Sequence, residues 1–134
     1  MDNRSIREEY AEIAAEVIKE NAGLFGDIQK SSATIIYLGS DYAKTSKGKT
    51  VFGECEKVAN KNKWAIPCDF TITVYEPNCV GMTRDQMKIL LLHELMHVGI
   101  EIDKDGSEKY YIRPHDYEDF KYVIDHYGTN WSQT

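Results

Sequence analysis

A chain of 134 residues, 42% hydrophobic and 28% charged, is sized for one modest core, and a single domain over 1–134 is expected. Its formal charge of −6 argues against general affinity for nucleic acid or for an anionic membrane surface. The cysteines Cys55, Cys68 and Cys79 form no C-x-x-C pair, which argues against a thiolate zinc knuckle; their odd number fits a reducing compartment. With no basic-then-apolar leader in MDNRSIREEY and no apolar run of membrane length, the cytoplasm is the expected location.

In chain order, Ser5 and Glu8 read as a capping box opening a helix over about 5–21, with Ile6, Tyr10, Ile13 and Val17 at helical spacing. Residues 33–38 (ATIIYL) read as a strand and GSDYAKTSKGK as a polar loop. TVFGECEKV reads as a second strand of imperfect alternation, with a helix as the alternative, and NKNKWAIP as irregular or a single turn. DFTITVYE alternates cleanly, with Phe70, Ile72 and Val74 on one face, until Pro77 stops it. Thr83 and Gln86 form a capping box for a helix running through LLLHELMHVGI, with Gly99 at its C′ position. IEID and EKYYI flank a KDGS turn, which predicts a hairpin, and HDYEDFKYVIDHYG predicts a final helix. The sum is an α+β domain: a small mixed or antiparallel sheet with an N-terminal helix, a central helix and a C-terminal helix.

Charge is unevenly placed. Glu8, Glu9, Glu12, Glu16 and Glu20 make the first segment acidic, and Lys44, Lys47, Lys49, Lys57, Lys61 and Lys63 make the next third basic. A solvated lysine-rich loop accounts for the second group better than a nucleic-acid surface does.

HELMH, residues 93–97, is an H-E-x-x-H motif. Spacing by four sets His93 and His97 one helical turn apart on one face, where two imidazoles can bind one metal ion. Glu94 is rotated by about 100° from His93, beside a metal rather than on it, where a carboxylate can take a proton from water. Leu90, Leu91, Leu92, Leu95, Met96 and Val98 surround the trio, and burying two imidazoles and a carboxylate among them without a cation is costly. Zn²⁺ suits two imidazoles plus a third nitrogen or oxygen ligand, with one coordination position left open.

The third ligand has several candidates. Asp103 would need glycine at position 100, but Ile100 is there. Glu118 would suit a glutamate ligand on a later helix. His115 in IRPHDYEDF is the better candidate, because Pro114 fixes the start of the last helix and the chain can turn back there. His126 lies eleven residues beyond His115, about 16 Å along a helix, so both cannot ligate one ion. Asp116 and Asp119 flank His115, either orienting a ligand imidazole or favouring a helix N-terminus.

Together, LLLHELMHVG, YYIRPHDYEDFKYVIDHYGTNW and DFTITVYEPN resemble the putative phage metallopeptidase family. That family is similar in pattern to SprT-like zincins, which place a third histidine on a helix after H-E-x-x-H. The resemblance runs over about residues 30–131 and is densest over 69–131. It implies a compact zincin-like fold, zinc held by His93, His97 and His115, Glu94 as catalytic acid/base, and phage or prophage origin. Unlike many SprT-like proteins, this chain has no cysteine zinc ribbon after the motif, so a role in DNA repair is not implied.

The expected activity is therefore zinc-dependent hydrolysis of a peptide or protein substrate, with Glu94 moving the proton between water and the leaving amine. Tyr110 or Tyr111 is a candidate for a supporting hydrogen bond, though packing roles are commoner. DFTITVYE is a candidate cleft floor, or an edge that pairs with an extended peptide. The alternative is a zinc-stabilised, protein-binding module without turnover, which would need the three histidines and not Glu94. A DNA-associated protease or adaptor using the lysines is the weakest reading. Substrate identity and oligomeric state are not legible in one sequence.

Overall fold

The computed structural model describes residues 2–114. The expected final helix, with His115, Asp116, Glu118, Asp119 and His126, lies outside the described residues. Along the chain run β1 (Arg4–Ile6), α1 (Glu8–Glu20), α2 (Gly26–Lys30), β2 (Ile35–Ser40), β3 (Thr45–Ser46), β4 (Lys49–Thr50) and β5 (Gly53–Lys57). A 3₁₀ turn at Asn60–Asn62 leads to β6 (Phe70–Tyr75), a second 3₁₀ turn, α3 (Arg84–Leu95), β7 (Val98–Ile102) and β8 (Glu108–Ile112). The fold is mixed α+β, as expected.

A four-stranded sheet in the order β1-β2-β6-β5 forms the floor. β2 and β6 run parallel, Ile35 opposite Phe70 through Ser40 opposite Tyr75, while β1 and β5 flank them antiparallel. The alternation of DFTITVYE has its expected result on one face: Phe70, Ile72 and Val74 are fully buried. Thr71, Thr73 and Tyr75 are buried too, and β6 has a strand on each side. The suggestion that this strand is a peptide-pairing edge is therefore corrected: the edge on that side is β5.

α1 and α3 pack against each other and on one face of the sheet. Tyr10, Ile13, Ala14 and Val17 from α1 meet Leu90, Leu91 and Leu95 from α3, with Tyr37, Ile72 and Val74 beneath. Part of the acidic N-terminal segment serves this contact. Glu16 accepts from Arg84 at 2.6 Å and Glu20 pairs with Lys88 at 2.6 Å, solvent-screened pairs that orient the two helices more than they stabilise them.

Two helix boundaries differ from the sequence reading. Ser5 sits in β1, opposite Gly39, and α1 begins after Arg7 with no side-chain cap. Sheet pairing has claimed the residue that the capping pattern assigned to the helix. The Thr83–Gln86 box, in contrast, is formed in both directions: Gln86 N–H donates to Thr83 Oγ1 at 3.1 Å and Thr83 N–H donates to Gln86 Oε1 at 2.8 Å. The helix it opens stops at Leu95 rather than passing through Gly99.

Gly99 lies instead in β7, opposite Tyr111 of β8. A Cβ at this position would stand 2.4 Å from Cε2 of the Tyr111 ring. Gly99→Ala is accordingly expected to cost about 1–3 kcal/mol in a urea melt. A second change, Tyr111→Ala, should recover most of that loss in the double variant. The expected hairpin is present, and Phe70 joins it to the sheet through an edge contact with Tyr110 at 5.7 Å and through Val98 and Ile100.

Candidate active site

α3 brings the motif to a cavity of about 470 Å³ at the β5 end of the sheet. Its walls are Val51, Phe52 and Gly53 leading into β5, Leu90, His93 and Glu94 of α3, His97 just beyond, and Ile112 of β8. The His93 and His97 rings face each other with centroids 5.4 Å apart and planes 74° from parallel.

His97 is no longer helical. Its N–H donates to Glu94 O at 3.0 Å, an i→i−3 bond that tightens the last turn. Its carbonyl accepts from Arg113 N–H at 2.7 Å, extending the β7–β8 ladder by one step. The same Arg113 presents its carbonyl to the His97 ring, 2.7 Å from Nδ1. A carbonyl only accepts, so Nδ1 carries the hydrogen, and the neutral ring's basic lone pair falls on Nε2. This is the arrangement that orients a ligating imidazole from outside the coordination sphere. His93 and His97 thus fit a metal ion in residue type, mutual placement and, for His97, tautomer. Among the described residues no three His, Cys, Asp or Glu side chains gather closely enough to hold one together. Asp103, discounted from the sequence, sits in the hairpin turn, where its carboxylate accepts from Ser107 Oγ at 3.1 Å.

Glu94 is 5% exposed. Burial first, and the charge of Glu54 second, push its carboxyl up from 4.5 to about 8. Gly53 makes room for it: a Cβ there would lie 3.1 Å from Thr73 O and 3.4 Å from Glu94 Cγ. Glu54 is held in an ion pair by Lys44, whose ammonium also lies 5.5 Å from the centroid of the Tyr75 ring. Cys55 completes the wall, and burial pushes its thiol up to about 12, so at neutral pH it is an uncharged lining group.

Sequence reasoning missed the whole β5 wall. One signal was present: an isolated glycine inside a strand pattern marks a close approach of another group, and Gly53 is that glycine. The polar loop before it contains a small hairpin, β3 with β4, whose turn residues Lys47 and Gly48 have φ of 52° and 77°. Asn78 fixes its base by donating to Lys44 O at 2.9 Å and Val51 O at 2.8 Å. The tyrosines considered for a supporting role are turned to packing. Tyr110 donates to Glu108 Oε1 at 2.6 Å and Tyr111 covers Gly99, and neither lines the cavity. The lysines are split along the chain: Lys44, Lys47 and Lys49 precede β5, Lys57 ends it, and Lys61 and Lys63 follow it.

A family model described as putative phage metallopeptidase matches residues 3–134, nearly the whole chain. Nothing among the curated proteins or the solved structures matches it.

Proposed function

The chain belongs to the putative phage metallopeptidase family, and from that premise we propose that it is a zinc-dependent peptidase of zincin-like fold. The observation that carries the reading is the cavity where His93 and His97 face each other beside a buried Glu94, with His97 Nδ1 committed to Arg113 O. His93, His97 and His115 would hold the metal. His115 is supported by chain length: Arg113 is bonded to His97 through both backbone and ring. Two residues of extended chain span at most about 7 Å, which is the reach that a third ligand two positions beyond Arg113 needs.

Zinc, when bound, supplies Lewis-acid chemistry, activating water and polarising the scissile carbonyl. The chain's own groups do the rest. Glu94, 5% exposed in the cavity wall with Leu90 and the β5 residues, would accept a proton from water and return it to the departing amine. β5 is the sheet's outer strand on this side and runs along the cavity. An extended substrate segment can pair with it there, Val51, Phe52 and Ile112 forming an apolar trough.

No helix among the described residues is long and apolar enough to cross a membrane. The host-cell cytoplasm is part of the same proposal. The test is elemental analysis of the purified chain beside hydrolysis of an unfolded protein such as casein. One zinc per chain is expected, with hydrolysis abolished by a chelator and restored by added zinc. A chain that binds no zinc, or that cleaves equally well when stripped of metal, would refute the proposal.

A further inference from the structure

The face of the sheet opposite α1 and α3 carries a second cavity of about 510 Å³. Strand alternation creates it: Tyr37 and Ile72 point to the helices, so Ile36, Leu38 and Thr71 point the other way. Ile6 of β1 forms one wall, and Val58, Ala59, Ala65, Ile66 and Pro67 form the other. No helix covers this groove among the described residues. Ile6 is 61% exposed and Ile66 43%, and Trp64, in the same loop as Ile66, is 87% exposed. A single exposed tryptophan is ordinary. One that immediately precedes Ala65 and Ile66, two lining residues of an aliphatic groove, is the residue type of a binding hot spot.

The charges around the groove set the sign of a partner. Arg4 is neutralised, by Asp2 at 2.9 Å and Glu56 at 3.1 Å, and its guanidinium also donates to Thr73 Oγ1 and Tyr75 Oη. Lys63 is neutralised by Asp69 at 2.8 Å. Lys57, which lines the groove, and Lys61, beside its lining residue Asn62, form no ion pair among the described residues. Among the described residues the rim therefore keeps Lys57 and Lys61 without an acidic partner, on a chain of net charge −6. A nucleic acid would want flat aromatic surface and few carboxylates, whereas this floor is aliphatic and Glu56 is part of its wall.

We propose that this groove is a docking site for a short segment of another protein in which aliphatic or aromatic side chains stand next to aspartate or glutamate. The apolar side chains fill the space over Ile36 and Leu38, Trp64 closes on them from the loop, and the carboxylates meet Lys57 and Lys61. The site faces away from the cavity that holds Glu94 and does not depend on peptidase activity.

The experiment selects displayed random peptides, about a dozen residues long, on the full chain, with the same chain carrying Ile66→Asp as counter-selection. Both proteins carry Glu94→Gln so that hydrolysis cannot deplete the library. Peptides combining apolar and acidic residues should be enriched. A synthetic copy of one should lose affinity at least about tenfold with Trp64→Ala, with Ile66→Asp and with Lys57→Glu/Lys61→Glu, and should weaken as salt is raised. All these side chains are substantially exposed, and matched circular dichroism melts identify any variant that fails to fold, leaving the others to decide. The proposal is overturned if no groove-dependent peptide is enriched, if the enriched peptides are neutral or basic, or if those substitutions abolish binding of a single-stranded oligonucleotide instead.

Discussion

Replacing Glu94 by glutamine should lower hydrolysis on the order of a hundred- to ten-thousand-fold while the protein still binds one zinc. The side chain keeps its size and a hydrogen-bonding end, so the Gly53 recess stays filled. What is lost is only the ability to take up and release a proton. Retained activity in this variant would mean that the acid/base role has been given to the wrong residue, and an active wild type would at the same time dispose of a purely structural zinc module. The same substitution has a signature that needs no substrate. In metal-free protein the Glu94 carboxyl is raised from 4.5 to about 8, so over that window the native state holds a proton that the unfolded chain has released. Glu94 therefore leaves stability intact below about pH 4.5 and erodes it as pH rises through about 8, by roughly 5 kcal/mol in all. Urea midpoints of chelated wild type should fall across this range relative to the Glu94→Gln variant. Parallel curves would show that Glu94 is not buried as an acid.

His115→Ala should weaken zinc binding at least about a hundredfold, more than the ten- to hundredfold typical of losing a supporting partner. His126→Ala should leave affinity nearly unchanged. Competition with a chromophoric chelator measures both. If the two variants behave alike, the third ligand is a group other than His115, with Glu118 the next candidate. Peptide hydrolysis should track metal occupancy in each variant, because neither histidine is assigned a proton-transfer role.

What could be read from the sequence divides by the range of the forces involved. The Thr83–Gln86 box and the β7–β8 hairpin are set by residues within a few positions of each other, and each is found as expected; the His93 and His97 rings face each other although His97 lies beyond the end of α3. The end of α3 was not legible. LLLHELMHVGI signals burial throughout, but Val98 and Ile100 are buried as strand residues beside Phe70, and no glycine or proline marks the change after Leu95. Ser5 failed for the opposite reason, since a valid local cap pattern lost to pairing with Gly39, a contact made far along the chain. The parallel β2–β6 pair, and hence the identity of β5 as the outer strand, depends on bringing together segments some thirty residues apart. Nothing in either segment announces that partner, so the β5 wall of the cavity stayed hidden.

The motif's second imidazole stands at a joint rather than on a rod. Grafting HELMH into the middle of an uninterrupted helix would copy its spacing and leave behind the Arg113 carbonyl that chooses which ring nitrogen is basic. A five-residue transplant should thus make a poorer zinc site than one that also carries the turn and both strands to residue 113, and a mutation loosening the hairpin's far end should be felt as weakened metal retention long before the helix itself is disturbed.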